Sequence, residues 1–205
     1  MDGRVIPREL KVASVPGISE KQIGEHYNVL YKGYVNKINE IRDAIGSADL
    51  AAGNPTYSQI RELKREEVFA ANGVRLHEAY FESLSLNGTT EAGGTIGEWL
   101  SDDFGSAQSW AAEFRACGMS ARGWVVLAYD MQDGKLHNYL SDIHSEGVWG
   151  CVPLLVLDVY EHAYFIDYAT ARAKYLDAFF ANIDWQSVNN MIQSMGLDKV
   201  RQQSA

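Results

Sequence analysis

Apolar positions in the first half of the chain recur at steps of three and four. Ile23, His26, Leu30, Tyr34 and Ile38 share one face of a predicted helix. Ser19 stands where a cap belongs and Gln22 lies three residues on, the spacing of a capping box. A second helical run extends from about Ile60 to Leu84, with Phe69, Gly73, His77, Tyr80 and Leu84 along one side. Residues 46–58 between the two runs read as a loop. Residues 1–18, with Pro7 and Pro16, read as an extended arm. Asn87-Gly88 and Gly93-Gly94 break the pattern and set a boundary near residue 90.

Beyond that boundary the pattern changes. Residues 95–117 read as helical, interrupted at Phe104-Gly105-Ser106. Residues 123–129 form an apolar strand, Asp133-Gly134 signals a turn, and Lys135 to Leu140 returns as the second strand of a hairpin. Residues 152–158 are a short apolar run with a carboxylate at its end, a buried strand. From Ala163 onward the chain is mainly helical, with Tyr175, Phe179, Phe180, Ile183 and Trp185 available for packing. The expected fold class is therefore α+β. An N-terminal antiparallel helical hairpin (residues 1–90) precedes a mixed α/β domain (residues 91–205) with a small antiparallel sheet, about three-stranded, flanked by helices.

Composition narrows the function classes. Of 205 residues 46% are hydrophobic and 22% charged, ordinary for a folded domain. A net charge of -9 and the lack of any basic run exclude a general nucleic-acid binder. No stretch approaches the ~18 apolar residues of a membrane span, and Met1-Asp2-Gly3-Arg4 leads into no secretory signal. Cys117 and Cys151 are far apart with no metal-type spacing and read as reduced, structural thiols. The expected location is the cytoplasm.

Candidate chemistry centres on Asp158 and His162. An aspartate ending an apolar strand must be protonated, paired or bound to a cation. A histidine four residues on can share that cation, or can simply hydrogen-bond the aspartate and hold a turn. His26 and His77 each lie on the apolar face of a helix, where a hydrogen-bonded core histidine is the commoner reading. Spacing alone does not join the four.

A resemblance does. The segment Asp158-Val159-Tyr160-Glu161-His162-Ala163-Tyr164 resembles the D-x-W-E-H-A-Y signature of iron/manganese superoxide dismutases, and similarity continues through Ala171-Arg172 and Tyr175-Leu176 to Asp184-Trp185. Upstream, His26 followed by Tyr34-Val35-Asn36 resembles the family's first helix, Leu76-His77 its second, and Phe104-Gly105-Ser106 and Gly123-Trp124 are in register. The resemblance implies one Mn or Fe ion per subunit, held by His26, His77, Asp158 and His162, and disproportionation of superoxide to dioxygen and hydrogen peroxide. It implies a catalytic role for Tyr34 at the substrate funnel, and for His144 where many members place a glutamine touching bound solvent. Gly73 cannot supply the alternative glutamine. Trp124 and Tyr160 would line the cavity, with Tyr160 and Val126 standing where aromatic residues are usual.

Glu161 would reach across a two-fold interface, implying a homodimer, with a tetramer compatible. The gateway between subunits departs from the family. Leu30 and Tyr31 replace a His-His pair, and Val29 a common lysine, so a bond to the partner's counterpart of Tyr164 is lost. Lys32 and Arg172 are the candidates to restore positive charge. That altered gateway motivates a second reading, a Mn/Fe oxidase or oxygen-activating protein on the same fold. A metal-stabilised protein without catalysis is a third. Open coordination and retained proton donors argue for the enzyme.

Overall fold

The computed structural model describes residues 3–204. Met1 and Asp2 of the expected arm, and Ala205, lie outside the described residues. The arm runs without helix to Ser19. It is tied down by the Val5 N–H on Asn39 Oδ1 (2.9 Å) and the Arg8 N–H on the Tyr31 hydroxyl (2.8 Å).

Ser19 caps α1 (Glu20–Glu25), its hydroxyl accepting from the Gln22 N–H at 3.1 Å. The reciprocal half of the expected capping box is absent. The Gln22 side chain turns away to the chain around His162, and the Ser19 N–H donates to Asp167 instead, at 2.7 Å. A π-helical turn (His26–Tyr31) follows, then α2 (Lys32–Gly46). The π turn inserts one residue into the register, which corrects the face read from the sequence. Tyr31, not Leu30, is fully buried, and the inward row becomes Ile23, His26, Tyr31, Val35, Ile38 and Ile41. A 24-residue helix, α3 (Gln59–Glu82), packs alongside. Tyr27 meets Phe81, Tyr31 meets Glu78, the Tyr34 ring faces Gly73 and Arg42 pairs with Glu67. That descending order is an antiparallel hairpin.

Helices α4 (Gly94–Phe104) and α5 (Ala107–Ser120) are separated at Gly105, whose φ of 80° suits glycine, and Ser106 caps α5. The sheet follows: β1 (Trp124–Asp130), β2 (Leu136–Ser141) and β3 (Cys151–Asp158), in the order β2-β1-β3 and antiparallel throughout. The β1–β3 register sets Trp124 opposite Asp158 at one end and Asp130 opposite Cys151 at the other. Leu154 to Asp158 are all buried. A short 3-10 turn (Glu161–Ala163) leads to α6 (Phe165–Tyr168), α7 (Arg172–Ala181), α8 (Trp185–Ser194) and α9 (Leu197–Ser204). Trp110, Phe114, Phe179, Leu155 and Tyr129 form the centre of the core between these helices and the sheet. No described helix is long and apolar enough to cross a membrane.

Candidate metal centre

The helical hairpin and the end of the sheet bring four side chains from distant parts of the chain to one point. His26 starts the π turn, His77 lies on α3, Asp158 ends β3, and His162 sits in the turn after it. One donor atom from each lies within 4.8 Å of all the others. The Asp158 Oδ2 is 3.2 Å from His26 Nε2, 3.1 Å from His162 Nε2 and 3.9 Å from His77 Nε2. His26, His77 and Asp158 are essentially solvent-free, and His162 is partly open.

The protonation pattern points to a cation at that centre. His77 Nδ1 lies 2.6 Å from the Gly73 carbonyl, which can only accept, so Nδ1 carries the proton and Nε2 is a bare lone pair. Burial, reinforced by neighbouring His26, drives the His77 pKa down to about 3, so Nε2 stays unprotonated. Burial lowers His26 as well. Both Nε2 atoms are buried with no hydrogen-bond partner. Burial would raise the Asp158 carboxyl, yet His162 and His26 hold it below the usual carboxylate range. Lone pairs converging on a buried carboxylate are costly unless a positive ion lies among them. Three imidazoles and one carboxylate suit a first-row transition metal, so the donor set fits Mn or Fe.

Tyr34 and His144 lie beside this centre. Trp124 Nε1, which can only donate, lies 2.8 Å from His144 Nδ1, so that nitrogen accepts. Burial lowers the His144 pKa to about 4, leaving a neutral ring with its proton on Nε2. That proton is donated to the Tyr34 hydroxyl at 2.7 Å. Both ring nitrogens are thus committed to protein partners. Burial and nearby Asp158 raise the Tyr34 pKa, so the phenol keeps its proton. The Trp124 ring closes on His77 at 5.0 Å, and Tyr160 stacks on His162 at 5.2 Å. The Tyr160 hydroxyl donates to the Asp142 carbonyl, and burial followed by Asp158 raises its pKa to about 12.

The remaining expected residues divide. Glu161 is exposed, with no ion-pair partner among the described residues. Tyr164 is 3% exposed, stacks on Tyr175, and its hydroxyl accepts from Arg172 Nε at 3.2 Å. The exposed ring is Phe165, at 48%. Arg172 donates to Tyr164 and to the Ala121 carbonyl, and Lys32 to Asn28 with its ammonium over the Tyr27 ring, so both cations rest on neutral partners.

Four further residues support the site. Gln22 is buried, donates its amide to the His162 carbonyl at 2.6 Å and accepts from the Ile166 N–H at 3.0 Å. It couples the helix before His26 to the turn bearing His162. Gly73 makes room for Tyr34, since a Cβ there would sit 2.7 Å from Tyr34 Cδ1. The one available signal was a glycine inside a helix, which read only as an absent glutamine. Asn72 donates to the His144 carbonyl at 2.7 Å, and Tyr175 to the Asp158 carbonyl at 2.7 Å.

Comparison with known proteins gives the same direction. Residues 92–191 match the family described as iron/manganese superoxide dismutases, C-terminal domain. A superoxide dismutase [Fe] of Aquifex pyrophilus is 40% identical over 188 residues, covering 90% of this chain and 88% of that protein. The chain belongs to the iron/manganese superoxide dismutase family. Another superoxide dismutase [Fe], from Cupriavidus metallidurans, is 40% identical, covering 88% of this chain and 91% of its own. The superoxide dismutase [Mn] 1 of Halobacterium salinarum is 34% identical, covering 83% and 84%. Both metals thus occur among the relatives' names. The α+β fold, with its helical N-terminal region and three-stranded antiparallel sheet, agrees with this membership.

Proposed function

We propose that His26, His77, Asp158 and His162 hold one Fe or Mn ion per subunit, and that the chain is a superoxide dismutase, an oxidoreductase. The observation that carries this reading is the pair of buried, partnerless Nε2 atoms directed at Asp158. The bound ion supplies a one-electron couple between its divalent and trivalent states. Two superoxides and two protons give one dioxygen and one hydrogen peroxide, so the protein must deliver protons without letting bulk water reach the ligands.

Tyr34 meets that need. Its hydroxyl oxygen accepts from His144 Nε2, which leaves its own proton free to point elsewhere. Trp124 fixes the tautomer of His144, and Phe69 stacks on the same imidazole at 4.5 Å. Trp124 and Tyr160 wall the site with aromatic surface. The alternative of an organic-substrate oxidase is not favoured, because relatives that match most of the chain are named superoxide dismutases.

The assembly is read as a homodimer. Exposed Phe165 and Ile166, beside unpaired Glu161, give the turn after Asp158 an outward apolar and acidic face next to the metal ligands. The chain is divided into an N-terminal helical hairpin domain (1–90) and a C-terminal α/β domain (91–205), each supplying two ligands. A cytoplasmic location fits the two unpaired cysteines.

Superoxide decay followed by stopped flow, on protein reconstituted separately with Mn and with Fe, tests the reading. Catalysis well above the free ion with at least one metal is expected. Stoichiometric metal with decay no faster than the free ion would overturn it.

A further inference from the structure

The opposite end of the sheet gathers donors that dismutation does not use. Strand pairing sets His137 opposite Ala128, Tyr139 opposite Val126 and Cys151 opposite Asp130. Directly opposed residues share a face and alternate residues return to it, so Asp130, His137, Tyr139 and Cys151 lie on one side. The hairpin turn adds Asp133. One donor atom from each of Asp130, Asp133 and His137 lies within 4.8 Å of the others, with Asp133 Oδ2 2.8 Å from His137 Nε2.

These donors are held in place. The Gln132 N–H bonds Asp130 Oδ1 at 2.8 Å and the Lys135 N–H bonds Asp133 Oδ1 at 2.9 Å, which leaves Oδ2 of each to face Tyr139 and His137 respectively. His137 stacks on Tyr139 at 5.6 Å and 20°, and Tyr139 donates to Asp130 Oδ2. Charge is out of balance. The Gln132 amide holds Asp130 below the usual range and His137 does the same for Asp133, so both are ionised side by side. Among the described residues neither pairs with a lysine or arginine, and His137 is the one basic partner.

We propose that Asp130, Asp133 and His137 form a second metal site for a divalent, borderline-soft ion such as zinc. Two carboxylate oxygens and one imidazole nitrogen are zinc-type donors, and solvent completes the coordination at this partly open site. Cys151 and Asp158 stand seven residues apart at the two ends of β3, so the sites are roughly 23 Å apart and independent.

The test is calorimetric titration of manganese-loaded protein with zinc, with the manganese EPR signal recorded throughout. One zinc per subunit beyond the manganese is expected, with the EPR signal and dismutase activity unchanged. The double variant Asp133→Asn/His137→Ala should lose that zinc while keeping its melting temperature. No uptake beyond the manganese, or equal uptake by the double variant, would overturn the site.

Discussion

The two ends of the three-stranded sheet solve the same problem under opposite conditions. At the Trp124–Asp158 end the donors are walled in: Asp158 and His77 have no exposure and His26 has 1%. Two imidazole Nε2 atoms there have no hydrogen-bond partner. At the Asp130–Cys151 end the donors are partly open, and each already bonds a neighbour. Water can complete the open set, so the hairpin folds with or without an ion. It cannot complete the closed one, where unpaired acceptors cost free energy unless a cation joins them. The lesson is that enclosure, more than the identity of the donors, ties metal to fold.

Breaking that contrast has graded consequences. The largest effect is expected for Asp158→Asn, which removes the one ionised donor at the closed end; metal content after dialysis and superoxide decay should both fall to background. Next comes Gln22→Met, which fills the space but leaves the His162 carbonyl and Ile166 N–H unpaired. Chemical denaturation should show a loss of about 1–3 kcal/mol. Competition with a chelator should show metal affinity weakened by roughly 10–100-fold, the scale for residues that orient ligands.

Gly73→Ala drives a methyl into the Tyr34 ring. A cost of about 1–3 kcal/mol is expected from overpacking, with activity falling further than metal content because Tyr34 loses its bond to His144. Acid is a gentler probe. His77 near 3, His144 near 4 and lowered His26 stay neutral in the fold, whereas the unfolded chain protonates them near 6.5. The unfolded state therefore binds more protons below that value. Stability of the apoprotein should be full above pH 6.5 and fall as pH drops toward 4. Melting temperatures that stay flat from pH 7 to pH 5 would contradict this. The smallest effect belongs to the open end: His137→Ala should change metal-free stability by no more than about 0.5 kcal/mol in the same denaturation experiment.

Much of this architecture was legible beforehand. Apolar periodicity located both N-terminal helices and the three strands, and Asp158 with His162 stood in a local, specific motif. His26 and His77 were each visible as an odd residue on an apolar face, but 51 positions separate them in sequence. Spacing has no means of bringing such residues together; only the resemblance did. The π turn was hidden because a one-residue insertion leaves residue types unchanged while turning Tyr31 inward and Leu30 aside. The adjacent rings of Tyr164 and Phe165 cannot be sorted into buried and exposed without the turn that carries them. Gln22 was read as a local cap, since its true partners lie 140 and 144 residues away.

The central claim is that four enclosed donors share one redox metal. Anomalous diffraction from crystals of manganese-loaded protein, recorded at the manganese absorption edge, tests it most directly. One strong peak per subunit bounded by Nε2 of His26, His77 and His162 and by Asp158 Oδ2 is the expected result. Manganese found elsewhere, with the two buried Nε2 atoms still unligated, would contradict the account.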